Sequence, residues 1–423
     1  MPKQITDQLK QVLENKQGEY LEILKELIAC DTQVLGHGIA GGKEINGQQY
    51  LEKLFERMGA DSVERDQMDE ALLEEAYQRY HEGNLGHVQT DRFNLYAKFK
   101  GKQNKSLLFN GHIDTMPPGE LELWRSNPWQ AEVRDGRIYG LGAADMKGGL
   151  LASILAVKLL QDAGIELPID VKYAVVVDEE GGGNGSIQAA LNGQKAEGVI
   201  VCEPTNRELI VANMAFVFFK VEVEGKSCHS GAKWEGVSAI EKAMLLMQEI
   251  KELEHEWLLR YRHPLLPSPS QNFGVITGGT AGSSIPDYCC FQTCVHYLPS
   301  MSRDEVIKEY QERILERAKA DPWLRDHLPK IEIYQEGGGF EIDANEPLPR
   351  AMREAWQRAI GQEMPVVASP CGCDCRSWAK IASCPVIQCG PGELKDCHTP
   401  NESLEIAQFF EYILAYAELI LCW

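Results

Sequence analysis

The chain is 423 residues long, 44% hydrophobic and 25% charged, with a formal net charge of -21. That length exceeds one ordinary core, so two domains are expected in an otherwise ordinary globular composition. The acidity argues against nucleic acid and anionic membrane surfaces as partners, because a phosphate backbone needs basic neutralisation, and no apolar run is long enough to span a bilayer.

The N-terminal MPKQITDQLKQVLENKQGEY is polar and helix-like, without the apolar stretch of a signal peptide. Thirteen cysteines, an odd number, then read as reduced thiols in a cytoplasmic protein. Residues 5–29 carry Leu9, Val12, Leu13, Tyr20, Leu21, Leu24 and Leu27 at helical spacing. A glycine-rich loop spans 36–42 and a second helix 45–58. Residues 61–89 are very acidic and have no clear place in this pattern. Strands are expected at 94–100 and 107–109, and a hairpin at 131–139 around Asp135-Gly136. A glycine-rich turn over 140–149 carries Asp145 and leads into a helix over 147–163. Residues 170–177 form a continuous apolar strand of the kind buried on both faces, and it runs into Asp178-Glu179-Glu180. A short apolar strand at 198–202 runs into Glu203.

Strands alternating with helices predict an α/β sheet, whose ligand crevice lies at the carboxyl ends of its strands. His112, Asp114, Glu179, Glu180 and Glu203 all sit just past such ends. From about Asn213 the pattern changes to strands at 216–224, 273–276 and 289–297 with helices at 237–255 and 303–320. This predicts an inserted α+β domain. The α/β pattern resumes near Gly337, with a helix at 349–360 and an apolar helix at the C-terminus. The expected organisation is a catalytic domain over 1–212 and 337–423, interrupted by a lid and dimerisation domain over 213–336.

A two-metal hydrolytic site wants an imidazole at each metal, carboxylates to balance charge, one of them bridging, and an open water position. His112, Asp145, Glu180, Glu203 and His398 could supply these. Two carboxylates are left over. Asp114 lies two residues from His112 on the same face of an extended segment, and could orient it through its second nitrogen or its backbone. Glu179 could take a proton from water and deliver it to a leaving amine. Taken singly, carboxylates after strands are ordinarily caps or solvated turns, and a histidine near a C-terminus is ordinarily at the surface. Adjacent Glu179 and Glu180 are harder to explain without a cation, since they repel.

The motifs LLFNGHIDTMPPG, GLGAADMKGG, VVVDEEGGGNGS, CEPT and CHTPNE, in that order, resemble the zinc-dependent amidohydrolase family of acetylornithine deacetylase, succinyl-diaminopimelate desuccinylase, aminoacylase and glutamate carboxypeptidase. The resemblance implies a two-zinc α/β catalytic domain with an inserted lid, and cobalt as a possible substitute for zinc. It makes Asp145 the carboxylate bridging both metals, His112 and Glu203 the remaining ligands of one, and Glu180 and His398 those of the other. Glu179 becomes the general base and acid, and Asp114 the partner of His112. A cis peptide is implied at Asp145-Met146.

In the lid, GKSCHSG resembles the motif whose histidine, here His229, enters the neighbouring subunit's active site and polarises the scissile carbonyl, which implies a homodimer. In GGTAGSSIPDYCC, Ser283 or Ser284 stands near the family's asparagine. His296 stands where the family carries an arginine that grips a substrate carboxylate; a histidine lacks the bidentate fork of arginine. Arg376, in CGCDCRSW, is then the remaining candidate anchor for a carboxylate or acyl group. The run Cys371, Cys373, Cys375 could hold a soft metal, but reduced thiols are the preferred reading. A glutamate at position 203 leans, within the family, toward deacylases. The expected substrate is a small N-acyl amino acid or related N-acyl amine. Alternatives are a dipeptidase or carboxypeptidase, an N-formyl-aminopyrimidine deformylase, and a non-catalytic metal-binding protein; the retained Glu179 argues against the last.

Overall fold

The computed structural model describes residues 3–423. The chain divides into two compact units. One comprises the residues up to Val211 with Ile342–Ala368 and Cys373–Trp423; the other comprises Ala212–Glu341 and Ser369–Gly372.

The first unit is built on a mixed sheet in which Ser62–Gln67, Phe93–Phe99, Asp170–Val176, Ser106–His112, Val199–Val201, Val386–Gln388 and Leu209–Asn213 follow one another side by side. Its centre is parallel: Ser106–His112 pairs with Asp170–Val176 on one side and Val199–Val201 on the other, and Val386–Gln388 continues the parallel run. Parallel strands need both faces covered, and the residues of Ser106–His112 are all buried. Helix Lys147–Asp162, apolar nearly all round, packs on that strand and on helices Lys3–Ile28 and Ile406–Cys422. Helix Asn184–Leu191 packs on Glu70–Tyr80 and Cys375–Lys380. Phe109 ties sheet to helix, with ring centroids 5.8 Å from Tyr173 and 5.1 Å from Tyr416.

Several elements differ from the sequence expectation. The strand expected over 107–109 extends through Asn110, Gly111 and His112, because neighbouring strands supply ladder partners for these residues. The acidic stretch 61–89 is ordered: Ser62–Gln67 lies antiparallel to Phe93–Phe99, and Glu70–Tyr80 is a helix capped by Asp69, whose carboxylate accepts from Ala71 N at 2.8 Å. The hairpin at 131–139 forms as expected, with Asp135 and Gly136 both at positive φ (50° and 74°). Its second strand pairs with Ser403–Glu405, just beyond His398.

The second unit has a four-stranded antiparallel sheet in the order Ser270–Gly278, Tyr288–Tyr297, Ala215–Glu224, Lys330–Gly337. Helices Ala239–Arg260 and Arg303–Ala320 pack on each other, and the former on the sheet. The strand Lys330–Gly337, alternating charged and apolar residues between Pro329 and the glycines at 337–339, was not anticipated from sequence.

Helix Lys147–Asp162 approaches the end of strand Val199–Val201 closely because Gly149 stands in its first turn. A Cβ on Gly149 would overlap the Cys202 carbonyl oxygen, a backbone atom next to Glu203. Gly149→Ala is therefore expected to lower the unfolding free energy by about 1–3 kcal/mol, measured by urea denaturation, although alanine favours helix.

Candidate active site

The carboxyl ends of the parallel strands converge on one place. His112 is the last residue of its strand, Glu179 and Glu180 follow Asp170–Val176, and Glu203 follows Val199–Val201. Asp145 lies at the turn before helix Lys147–Asp162, and the Asp145-Met146 peptide is cis, as the resemblance implies. His398 arrives from the loop after Val386–Gln388, with φ 55°.

Two groups of donors form. His112, Asp145 and Glu203 present ligand atoms within 4.8 Å of one another, and so do Asp145, Glu180 and His398. Asp145 is shared, one oxygen to each group: Oδ1 is 3.1 Å from His112 Nε2 and Oδ2 is 3.2 Å from His398 Nε2. Glu203 Oε1 lies 3.5 Å from His112 Nε2, and Glu180 Oε2 lies 2.9 Å from His398 Nε2. Among the described residues no lysine or arginine pairs with Asp145, Glu180 or Glu203. Three carboxylates thus face one another with only imidazoles between them, a donor set that fits two divalent cations.

Hydrogen bonds to the Asp145 and Glu180 carboxylates push His398 up to about 11. Burial would lower His112, yet Glu203 and Asp145 together hold it well above the ordinary imidazole range. Burial, partly opposed by His112, raises Glu203 to about 7. Burial and then the Asp374 carboxylate raise Glu179 well above its ordinary range.

Asp114 is fully buried and links the two groups. Its carbonyl accepts from His112 Nδ1 at 2.9 Å, so the backbone rather than the carboxylate sets the His112 tautomer. Its Oδ2 accepts from Glu180 N at 3.0 Å.

Two neighbours of the site were not singled out from sequence. Glu402, buried, accepts from Gly142 N (2.8 Å), Ala144 N (2.8 Å) and Asp145 N (2.9 Å), so one carboxylate ties the His398 segment to the Asp145 turn. Asp374 accepts from Ser186 Oγ at 2.6 Å, and burial raises it to about 6. A signal existed for both: Glu402 closes the motif CHTPNE, and Asp374 is the lone acid within a run of small residues.

The sequence-derived substrate anchors fare differently. Arg376 is 4% exposed, and its guanidinium is committed to Glu82 (3.1 Å), the Cys373 carbonyl (3.1 Å) and the Gly182 carbonyl (2.8 Å). It braces the loop after Glu180 instead of presenting a fork to ligand. The second unit holds His229, Ser283 and His296. His229 pairs with Ser284 in a two-residue ribbon, and Ser230 N donates to the Ser283 carbonyl at 2.8 Å, so the two lid motifs lie side by side. His229 is exposed. His296 Nε2 sits 3.3 Å from Cys294 Sγ, and burial lowers its pKa, leaving it neutral. It offers no positive charge to a carboxylate. Cys371 is exposed whereas Cys373 and Cys375 are buried, all three are free thiols, and neither donor group includes a cysteine.

A small cleft opens beside His398, lined by Asp145, Glu180, Met116, Pro118, Trp124 and Leu141 among others. No helix among the described residues is long and apolar enough to cross a membrane.

The chain is similar to known proteins along its whole length. Residues 108–421 match peptidase family M20/M25/M40. An N-formyl-4-amino-5-aminomethyl-2-methylpyrimidine deformylase of Halalkalibacterium halodurans is 30% identical, covering 99% of this chain and 97% of its own. An acetylornithine deacetylase of Proteus mirabilis is 27% identical over 75% of this chain and 79% of its own. Among solved structures, an M20 family metallo-carboxypeptidase from Sulfolobus solfataricus superposes with a TM-score of 0.75 at 18% identity, covering 96% of this chain and 99% of its own. A tripeptidase from Staphylococcus aureus gives 0.73 at 20% identity, covering 96% and 97%. These structural likenesses establish a shared fold. Matched by the family over most of its length, the chain belongs to peptidase family M20/M25/M40 and is a metal-dependent amidohydrolase.

Proposed function

We propose that this protein hydrolyses the amide of a small N-acyl amine, with an N-formyl aminopyrimidine as its substrate, and that Glu179 carries the proton. The single observation behind the chemistry is the pair of donor groups sharing Asp145, with Glu179 next to Glu180 in sequence. His112, Asp145 and Glu203 would hold one metal ion, and Asp145, Glu180 and His398 the other. Two zinc ions per chain are the expected complement, with cobalt as a substitute; bound there, they supply Lewis acidity and make water easier to deprotonate.

The residues of the chain do the rest. Asp114 fixes the ring of His112 and the backbone of Glu180. Glu402 holds the Asp145 turn. Glu179 accepts a proton from the attacking water and passes it to the departing amine nitrogen.

The substrate assignment is supported by the full-length likeness to the deformylase and by charge. The family's carboxylate-gripping arginine is replaced by a neutral His296, Arg376 is spent internally, and the cleft beside His398 has no lysine or arginine in its lining. A neutral heteroaromatic amine suits these better than an amino acid. In the lid reading, His229 of the partner subunit polarises the carbonyl across a homodimer; its support is the GKSCHSG motif and the exposure of His229.

With zinc or cobalt, kcat/KM for N-formyl-4-amino-5-aminomethyl-2-methylpyrimidine is expected to exceed that for N-acetylornithine and for dipeptides by roughly 10²-fold or more. Preference for a dipeptide would overturn the substrate assignment. Glu179→Ala should keep about two metal ions per chain and lose roughly 10²–10⁴-fold in kcat, read by metal analysis and steady-state kinetics. Chelation should abolish turnover and zinc should restore it.

The dimer has its own test. His229→Ala and Glu179→Ala are each expected to be nearly inactive as homodimers. Mixed under exchanging conditions, they should recover up to about a quarter of wild-type activity, since half the dimers are hybrid with one intact site each. No recovery, with subunit exchange verified, would place His229 outside the neighbouring site.

A further inference from the structure

The acidic stretch after Asp61 ends in a loop whose side chains converge on residues 178–184, the loop that carries Glu179 and Glu180. Asp178 opens that loop with φ 60°, the left-handed region that residues other than glycine seldom occupy. Such a conformation persists where its surroundings over-determine it, and here they do. Asp178 Oδ2 accepts from His87 Nδ1 at 2.8 Å and from Asn184 Nδ2 at 2.6 Å. Its Oδ1 lies 3.0 Å from Arg92 Nη2, which is itself paired with Glu44. Asp178 and Glu44 are 0% exposed, Arg92 1% and His87 7%.

The rest of the same segment grips the loop farther along. Asn84 Nδ2 donates to the Gly181 carbonyl, and Asn84 N donates to Asn184 Oδ1 at 2.9 Å. Glu82 receives Arg376 Nε at 3.1 Å and Lys380 Nζ at 2.9 Å, and Arg376 Nη2 donates to the Gly182 carbonyl at 2.8 Å. Within the loop, Gly183 N donates to the Asp178 carbonyl at 3.0 Å and Gly182 N to the Glu179 carbonyl at 2.7 Å. The turn is thus closed on itself and clamped from behind at Asp178, Gly181 and Gly182.

We propose that His87 and Arg92 are positioning residues for the reaction: through the Asp178 carboxylate they hold the left-handed turn that sets Glu179 and Glu180 at the site. The segment 81–92 is then a brace for the proton carrier and one metal ligand. Asp178 would otherwise be a buried charge without a cation. Rotation about it would swing both glutamates together, because they follow it directly in the chain. This inference rests on the roles assigned above to Glu179 and Glu180.

His87→Ala removes one donor at the edge of the array and leaves Arg92 in place, so the fold is expected to survive. His87→Asn keeps an N–H where Nδ1–H stood. In metal-free protein, hydrogen exchange of the peptide spanning 179–184 should accelerate about tenfold or more in His87→Ala, stay within about twofold elsewhere, and return toward wild type in His87→Asn. With the N-formyl aminopyrimidine, kcat should fall roughly 10–100-fold while KM changes little, again with recovery in the asparagine variant. Unchanged exchange at 179–184 would overturn the proposal, as would acceleration throughout the first unit or a failure of asparagine to restore it. If wild type turns over no amide, the functional reading fails while the exchange comparison still decides the bracing role.

Discussion

The structure depends on a concentration of negative charge that it must keep. Asp145, Glu180 and Glu203 are brought within reach of one another at the ends of parallel strands, and only His112 and His398 stand among them. Burial raises the cost of each charge, and proximity raises it again. Two divalent cations would resolve both problems, and the raised imidazole pKa values reflect the same concentration of negative charge.

Much of the surrounding polar structure serves to keep the donors in place. Glu402 gathers three backbone N–H groups of the Asp145 turn. Asp114 joins the ring of His112 to the backbone of Glu180. Asp178 is clamped by His87, Asn184 and Arg92. Each is a buried carboxylate with charge-assisted or backbone partners, which offset its desolvation and fix its position at once. The pattern explains why so many acids lie near a site that already has an excess of them: one set forms the two donor groups, and another set fixes the backbone and rings around them.

The second unit contributes a different kind of surface. Its two lid motifs are adjacent across the ribbon of Cys228–His229 and Ser284–Ile285. The neutral His296 on the neighbouring sheet marks a departure from the acidic-substrate pattern of the family resemblance. The two positions where the sequence pattern places a carboxylate-recognising group hold His296 and an Arg376 whose guanidinium is paired internally.

Strand exits were legible because a buried parallel strand is an unbroken apolar run, so the first polar residue after it marks the sheet's edge. That reasoning reached His112, Glu179, Glu180 and Glu203 directly, while Asp145 and His398 needed the order of the motifs as well. Arg376 was legible as a cation near the site but not as a committed one, because its partner Glu82 is 294 residues away. Glu402 was visible in a quoted motif, yet its three donors lie 257–260 positions earlier. The stretch 61–89 could not be placed, since side chains such as Glu82, Asn84 and His87 find their partners in Arg376, Gly181 and Asp178, far away in sequence. By itself the sequence determined the α/β class, the donor types and their order along the chain, because periodicity and local chemistry are properties of neighbours in sequence. Only the tertiary structure decided which charged groups are free to meet a ligand and which are spent holding one another, because a salt bridge or a backbone nest is settled by what folding brings alongside.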